Sequence, residues 1–364
     1  MKRLIAGMTA ALLAVILAFS YPAEAVSAQS AILMDAQTGR TLYERLPDQQ
    51  SLIASTTKIM TALVICEQCN VLDRVRIPKE AVGIEGSSMY LKEGEVLTVQ
   101  ELLYGMMLHS GNDAATALAI YCSGTVEGFA EQMNDKARQL GLTNTHFVNP
   151  NGLDAPGHYS SARDLAILSA YAMNNPVFCQ TVSAKNVRIG NRSLQNHNKL
   201  LWRIEGADGV KTGYTKAAGR ILVSSAKRDG RRLVAVTICD PNDWEDHKKL
   251  MEMGFSQFSL QRIISCDDVL GSLEVEGGEE SQVEVIASED FSYPLAKTEM
   301  PTIQLPPPGF VYAPVVEGQR AGEAGIYLGE CLIGKVSVRY GTTVEQRKDE
   351  KKSLWDILFR GGPQ

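Results

Sequence analysis

The sequence predicts an α+β fold: an antiparallel sheet flanked by helices, followed by a second, small all-β C-terminal domain and a terminal amphipathic helix. Two observations carry this. Within residues 26–258, period-two runs stand on both sides of a block of helical segments, the order expected for helices packed on an antiparallel sheet and not for alternating βαβ units. Beyond residue 260 the helical period gives way to short β-type runs broken by Gly, Pro and acidic turns.

The elements follow in order. Residues 1–25 open with Met1-Lys2-Arg3, continue through a short apolar run and end in Ala23-Glu24-Ala25, which reads as a secretory signal peptide with a small-x-small cleavage site. That run falls short of the roughly 20 residues needed to cross a bilayer, so the mature chain is expected to act outside the cytoplasm. "SAILMDAQTGRTLYER" (residues 30–45) alternates as two strands around a Gln-Thr-Gly turn, and "IASTTKIMTALVIC" (53–66) has helical periodicity. Thr98-x-x-Glu101 is a capping box that starts a helix near Val99. This helix delivers Ser110-Gly111-Asn112 at its C-terminal end. A further helix stops at Gly141, and Ser161-x-x-Asp164 opens another. "GVKTGYT" (209–215) reads as a strand, and "GRILVSSAKRDGRRLVAVTICD" (219–240) as two strands joined by a turn containing Asp229-Gly230. Residues 262–344 form the small all-β domain. In 346–360, Leu354, Trp355, Ile357, Leu358 and Phe359 share one arc of a helix, with Arg347, Lys348, Lys351 and Lys352 upstream. That pattern suits a helix lying on a membrane surface.

Composition excludes several classes. Hydrophobic residues make up 45% and charged residues 21%, so a sizeable core is available. A net charge of −6 argues against nucleic acid, which needs a concentrated basic surface. The seven cysteines are scattered and odd in number, unlike a disulfide framework, and read as buried or free thiols. Cys66-x-x-Cys69 has no second pair or histidine cluster to complete a metal site, and the five histidines are isolated, so no metal and no cofactor are expected.

The chemistry turns on Ser55-Thr56-Thr57-Lys58. A serine hydroxyl needs an adjacent base to become a nucleophile. Residues i and i+3 share a helix face, so Lys58 can reach Ser55, and desolvation can lower a lysine pKa towards neutrality. A serine at a helix start also stands beside unpaired backbone N–H groups that suit an oxyanion. The same letters describe an ordinary N-cap, and a lone S-x-x-K is common. Two later tripeptides decide between these readings. Ser110-Gly111-Asn112 offers a second hydroxyl and an amide. Lys211-Thr212-Gly213 sits on a strand, with Lys211 and Thr212 able to meet an anionic group and Gly213 leaving room for a substrate backbone. S-x-x-K, S-D-N and K-T-G, in that order, are the signature of class A β-lactamases and penicillin-binding proteins; here Gly111 replaces the Asp.

Residues 29–258 closely resemble the D-alanyl-D-alanine carboxypeptidases among the low-molecular-mass penicillin-binding proteins. The matching stretches include "ASTTKIMTALV", "EGSSMYLKEGE", "LLYGMMLHSGNDAA", "LGLTNTHFVNPNGLD", "NHNKLL" and "DGVKTGYTKAAG". The resemblance implies that Ser55 forms the acyl-enzyme, Lys58 accepts its proton and Ser110 relays the proton to the leaving amine. It implies that Asn112 orients the substrate, that Lys211 and Thr212 hold the terminal carboxylate, and that the backbone N–H groups of Ser55 and Tyr214 form the oxyanion hole. Peptidoglycan stem peptides would be the substrates, β-lactams the inhibitors, and the outer face of the cytoplasmic membrane a partner of the tail. His197 stands where some relatives carry an arginine, and is expected to pack or hydrogen-bond. Two other readings compete: β-lactam hydrolysis by the same serine, and a binding protein without catalysis. Intact Ser55, Lys58, Ser110 and Lys211 argue against the second.

Overall fold

The computed structural model describes residues 26–307 and 309–348; the signal peptide expected over residues 1–25 lies outside them. The chain divides into two compact units, Met1–Ser256 and Gln257–Gln364.

The first unit runs β1 (Ser30–Asp35), β2 (Thr41–Arg45), α1 (Lys58–Gln68), β3 (Arg74–Arg76), β4 (Val96–Thr98), α2 (Val99–Leu108), α3 (Asn112–Ser123), α4 (Val126–Gln139), α5 (Ala162–Ala172), α6 (Pro176–Ser183), β5 (Asn186–Ile189), β6 (Arg192–Gln195), β7 (Ala207–Thr215), β8 (Gly219–Arg228), β9 (Arg231–Ile238) and α7 (Asp243–Gln257). Its main sheet is antiparallel throughout, in the order β2-β1-β9-β8-β7, which leaves β7 at an edge.

Alternation along the strands sorts the core into two layers. Ile32, Met34, Ile221, Val223, Val234 and Val236 bury against α1–α6. Ala31, Leu33, Leu222, Ala226, Leu233 and Ala235 turn the other way, towards Leu250 and Met251 of α7. Both faces are therefore dry, and each Leu, Ile or Val so buried contributes about 1.5–3 kcal/mol.

The local signals act as their chemistry dictates. Thr98 accepts from Glu101 N at 3.2 Å while the Glu101 carboxylate accepts from Thr98 N at 2.7 Å, so α2 starts at Val99. Ser161 caps α5 by accepting from Asp164 N. Gly141, just past α4, has φ +69°, and the β8–β9 turn places Asp229 and Gly230 at φ +48° and +82°, the primed-turn geometry that suits a twisted hairpin.

The second unit contains β10 (Phe258–Ile264), β11 (Val269–Glu276), β12 (Gln282–Ala287), β13 (Phe291–Ala296), β14 (Thr302–Gln304), β15 (Phe310–Tyr312), β16 (Arg320–Leu328) and β17 (Cys331–Tyr340). Strand structure begins at Phe258, ahead of residue 262. A six-stranded sheet, β14-β16-β17-β12-β11-β15, encloses a core of Leu273, Val275, Val283, Val285, Ala324, Ile326, Val336 and Val338; β10 pairs with β13.

The terminal helix expected over 346–360 does not begin where the pattern placed it. Gln346 bridges Gly278, and Arg347 N donates to Gly277 O at 2.8 Å. Main-chain pairing continues the sheet past residue 345, which satisfies backbone groups that a first helical turn would leave open. Residues 349–360 lie outside the described part. Among the described residues no helix is long and apolar enough to cross a membrane. All seven cysteines are free.

Candidate active site

Ser55 is not a helix cap. It lies in a 3-10 turn, Ala54–Thr57, that precedes α1, and no side chain caps either element. In a 3-10 turn residues i and i+3 eclipse one another. This brings Lys58 Nζ to 3.0 Å from Ser55 Oγ.

Lys58 is fully buried. Its amine also donates to Asn112 Oδ1 at 2.7 Å and to the backbone oxygen of Asn151. Both of those oxygens can only accept. In its neutral form the amine has two N–H bonds and one lone pair; with both hydrogens given to these acceptors, the lone pair would face Ser55. Burial holds the Lys58 pKa well below the usual lysine range, and the nearby Lys211 cation lowers it further; Asp113 acts in the opposite direction.

Asn112 opens α3 and is buried. Its Oδ1 faces Lys58 and its Nδ2 donates to Glu85 O at 2.5 Å, so both ends of the amide are engaged inside the protein. The next residue, Asp113, accepts from Met89 N, Leu91 N and the Ser88 hydroxyl at 2.9, 3.1 and 2.7 Å. One helix start thus holds Lys58 on one side and the 85–91 loop on the other.

Ser110 lies in the link between α2 and α3 with φ +64°, a left-handed conformation uncommon for serine. Its hydroxyl accepts from Lys211 Nζ at 3.1 Å. Lys211, on β7, is also fully buried, donates a second bond to Thr212 O at 2.9 Å, and has its pKa pushed down by burial to about 7.

Gly213 serves a purpose that its tripeptide alone does not disclose. A Cβ there would meet Ile53 O, Ser55 N and the Thr56 methyl at 3.2–3.3 Å. The space it leaves is filled by the chain's own Ile53–Thr56 segment, which brings Ser55 N against β7.

Other residues that the motifs do not reveal complete the support. Gly152, at φ +87°, passes so close to Ala54 that a Cβ would collide with its carbonyl. Thr61 donates to Pro150 O at 2.6 Å. His158 Nδ1 accepts from Val148 N, so its Nε2–H donates to Thr57 Oγ1 at 2.8 Å. Burial, aided by His146, lowers the His158 pKa to about 4, and the ring stays neutral. The only local sequence signal was the "NPNG" turn of residues 149–152.

The site opens into a cleft of about 370 Å³ lined by Ser55, Ser87, Ser110, His197, Lys199, Thr212, Gly213, Tyr214, Arg220, Ile221, Asp243 and Trp244. Thus Ser55, Ser110, Thr212, Gly213 and Tyr214 face the cleft, whereas Lys58, Asn112 and Lys211 lie behind its wall. His197 packs against the His109 ring at 5.0 Å; enclosure and then the Lys211 cation lower its pKa to about 4.

The Peptidase S11 family profile, that of D-alanyl-D-alanine carboxypeptidase, matches residues 18–242. The chain belongs to this family. The C-terminal domain profile of penicillin-binding protein 5 matches residues 258–346. Among relatives, D-alanyl-D-alanine carboxypeptidase DacF of Bacillus subtilis is 34% identical over 311 residues, 81% of this chain and 80% of that protein. DacD of Escherichia coli is 35% identical over 328 residues, covering 85% and 84%. The crystal structure of penicillin binding protein 5 from Haemophilus influenzae superimposes with a TM-score of 0.75 at 31% identity, covering 90% of this chain and 99% of that one. The chain is therefore a serine-type D-alanyl-D-alanine carboxypeptidase of the S11 family, a low-molecular-mass penicillin-binding protein with an all-β C-terminal domain.

Proposed function

We propose that Ser55 is the nucleophile that removes the terminal D-alanine from peptidoglycan stem pentapeptides. The observation that carries this is the buried, pKa-depressed Lys58 amine, its two hydrogens committed elsewhere, 3.0 Å from Ser55 Oγ. Lys58 takes the Ser55 proton as Oγ attacks the penultimate carbonyl. The oxyanion is received by the N–H groups of Ser55 and Tyr214, whose approach Gly213 permits. The tetrahedral intermediate collapses to a Ser55 ester and the amine of D-alanine leaves, protonated through Ser110, which Lys211 supplies. Water then hydrolyses the ester. Asn112 keeps Lys58 aimed, and Thr212 faces the terminal carboxylate. A β-lactam acylates the same hydroxyl and has no leaving group to diffuse away.

Purified protein incubated with a diacyl-D-Ala-D-Ala peptide releases D-alanine, and with penicillin it accumulates a long-lived adduct of matching mass. Ser55→Ala loses both, by roughly 10⁴-fold or more in turnover; activity surviving in that variant would refute the nucleophile. Rapid penicillin turnover would point to a lactamase, and adduct without peptide cleavage to a binder.

The same reading puts the enzyme outside the cytoplasm, exported by residues 1–25, where its substrate lies. The amphipathic pattern that continues from 349 to 360 supports attachment to the outer face of the membrane. Deleting 349–364 then releases the protein from membrane fractions with peptidase activity retained; unchanged fractionation sinks the idea.

A further inference from the structure

The cleft has two walls because β7 is an edge strand. Tyr214 pairs with Arg220 and Thr212 with Leu222, and residues directly opposite share a face. Thr212, Tyr214 and Arg220 therefore lie on the sheet face that α7 covers, while Lys211 and Gly213 lie on the other, with Ser55 and Ser110.

This division bears on how an anion is held. Lys211 is buried behind the cleft wall, with its amine spent on Ser110 Oγ and Thr212 O. It does not line the open cleft. Arg220 does. Its side chain is 43% exposed, and Asp243, only 4% exposed, accepts from Nε at 3.1 Å and from Nη2 at 2.6 and 2.8 Å. The guanidinium centre also lies 5.8 Å from the Trp244 ring. The fork is thus fixed in plane and rotamer before any ligand arrives, and its Nη1 edge makes no hydrogen bond among the described residues. Five N–H donors allow one guanidinium to serve two carboxylates. Lys199 adds a second cation to the lining of the same cleft.

We propose that Arg220, locked by Asp243, receives the C-terminal carboxylate of the substrate beside Thr212. This rests on the Ser55 reading above and adds the residue that selects a free C-terminus. It also accounts for a neutral His197 where some relatives carry an arginine: the positive group enters from β8 instead.

The test compares two substrates of wild type, Arg220→Gln, Arg220→Lys and Asp243→Asn. One is diacyl-D-Ala-D-Ala with its free carboxylate; the other is a diacyl-D-Ala thioester whose leaving thiol carries no charge. In Arg220→Gln the ratio of kcat/KM on the peptide to that on the thioester falls at least tenfold, the size expected for losing a charge-assisted pair. Arg220→Lys restores part of the ratio, and Asp243→Asn lowers it less than Arg220→Gln does. An equal fall on both substrates, or no fall on the peptide, overturns the proposal. Should Arg220→Gln not fold, the ratio in Arg220→Lys decides alone: a value equal to wild type overturns it. Ser55→Ala run alongside separates the two levels, because turnover persisting there refutes the nucleophile whatever Arg220 does.

Discussion

Two serine–lysine pairs face each other across the cleft, and they are built by different means. Ser55 and Lys58 are three residues apart, one in a 3-10 turn and the other opening the helix that follows it; Ser110 and Lys211 come from a helix link and an edge strand, 101 residues apart. Both lysines are fully buried and each is hydrogen-bonded to its serine, at 3.0 and 3.1 Å. What separates them is the rest of the amine's company. Lys58 meets two obligate acceptors and a neighbouring cation, whereas Lys211 meets a single carbonyl besides its serine. The first arrangement suits the base we propose, with a lone pair aimed at a hydroxyl. The second makes a donor that positions a hydroxyl and depresses its neighbour's pKa.

Removing one member from each pair breaks the comparison most sharply. Lys58→Ala lowers kcat/KM by roughly 10³–10⁴, and Ser110→Ala by about 10², the range for loss of general acid–base help; steady-state D-alanine release measures both. Equal losses would mean the two pairs are interchangeable, which the hydrogen-bond pattern denies.

A pH profile sharpens it further. Lys58 acts neutral, so kcat/KM rises with pH through its lowered pKa. Lys211⁺ is one cause of that lowering and Asp113 opposes it. Lys211→Gln removes the cation, the Lys58 pKa rises, and the acid limb moves to higher pH. A limb that stays put or moves down contradicts the coupling. Because the two amines interact, the limb in wild type belongs to the pair.

The smallest change tests the backbone that joins the pairs. Gly213→Ala puts a methyl within 3.2–3.3 Å of Ile53 O and Ser55 N, so the Ser55 turn must shift by a few tenths of an ångström. The expected cost is about tenfold in kcat, with KM little changed and the unfolding midpoint near wild type. A larger effect on KM would give Gly213 to substrate contact instead.

Legibility in the sequence followed the range of the interaction. The α2 capping box, the Gly141 stop, the Asp229-Gly230 turn and the Ser55–Lys58 spacing are local, and each could be read from a few adjacent letters. The alternation of β1, β8 and β9 gave the antiparallel sheet, and loss of helical period gave the β unit. Asn151, Gly152, His158, Asp113, Arg220 and Asp243 act on the site across long separations, and no spacing rule links them to Ser55. Asn112 and Lys211 were legible as site residues, but their position behind the cleft wall depends on which side each element turns. The tail misled at its start because residues 346–348 suit a helix in composition, while the β unit offers them a strand partner.

That strand partner has a mechanical consequence. Val315 and Val344 exchange two main-chain hydrogen bonds, Glu279 N donates to Glu345 O, and Arg347 N donates to Gly277 O. A tether pulled from beyond residue 348 must rupture this lacing before it can unravel β17. Any tension applied there would pass into the body of the β unit before it reached the last strand.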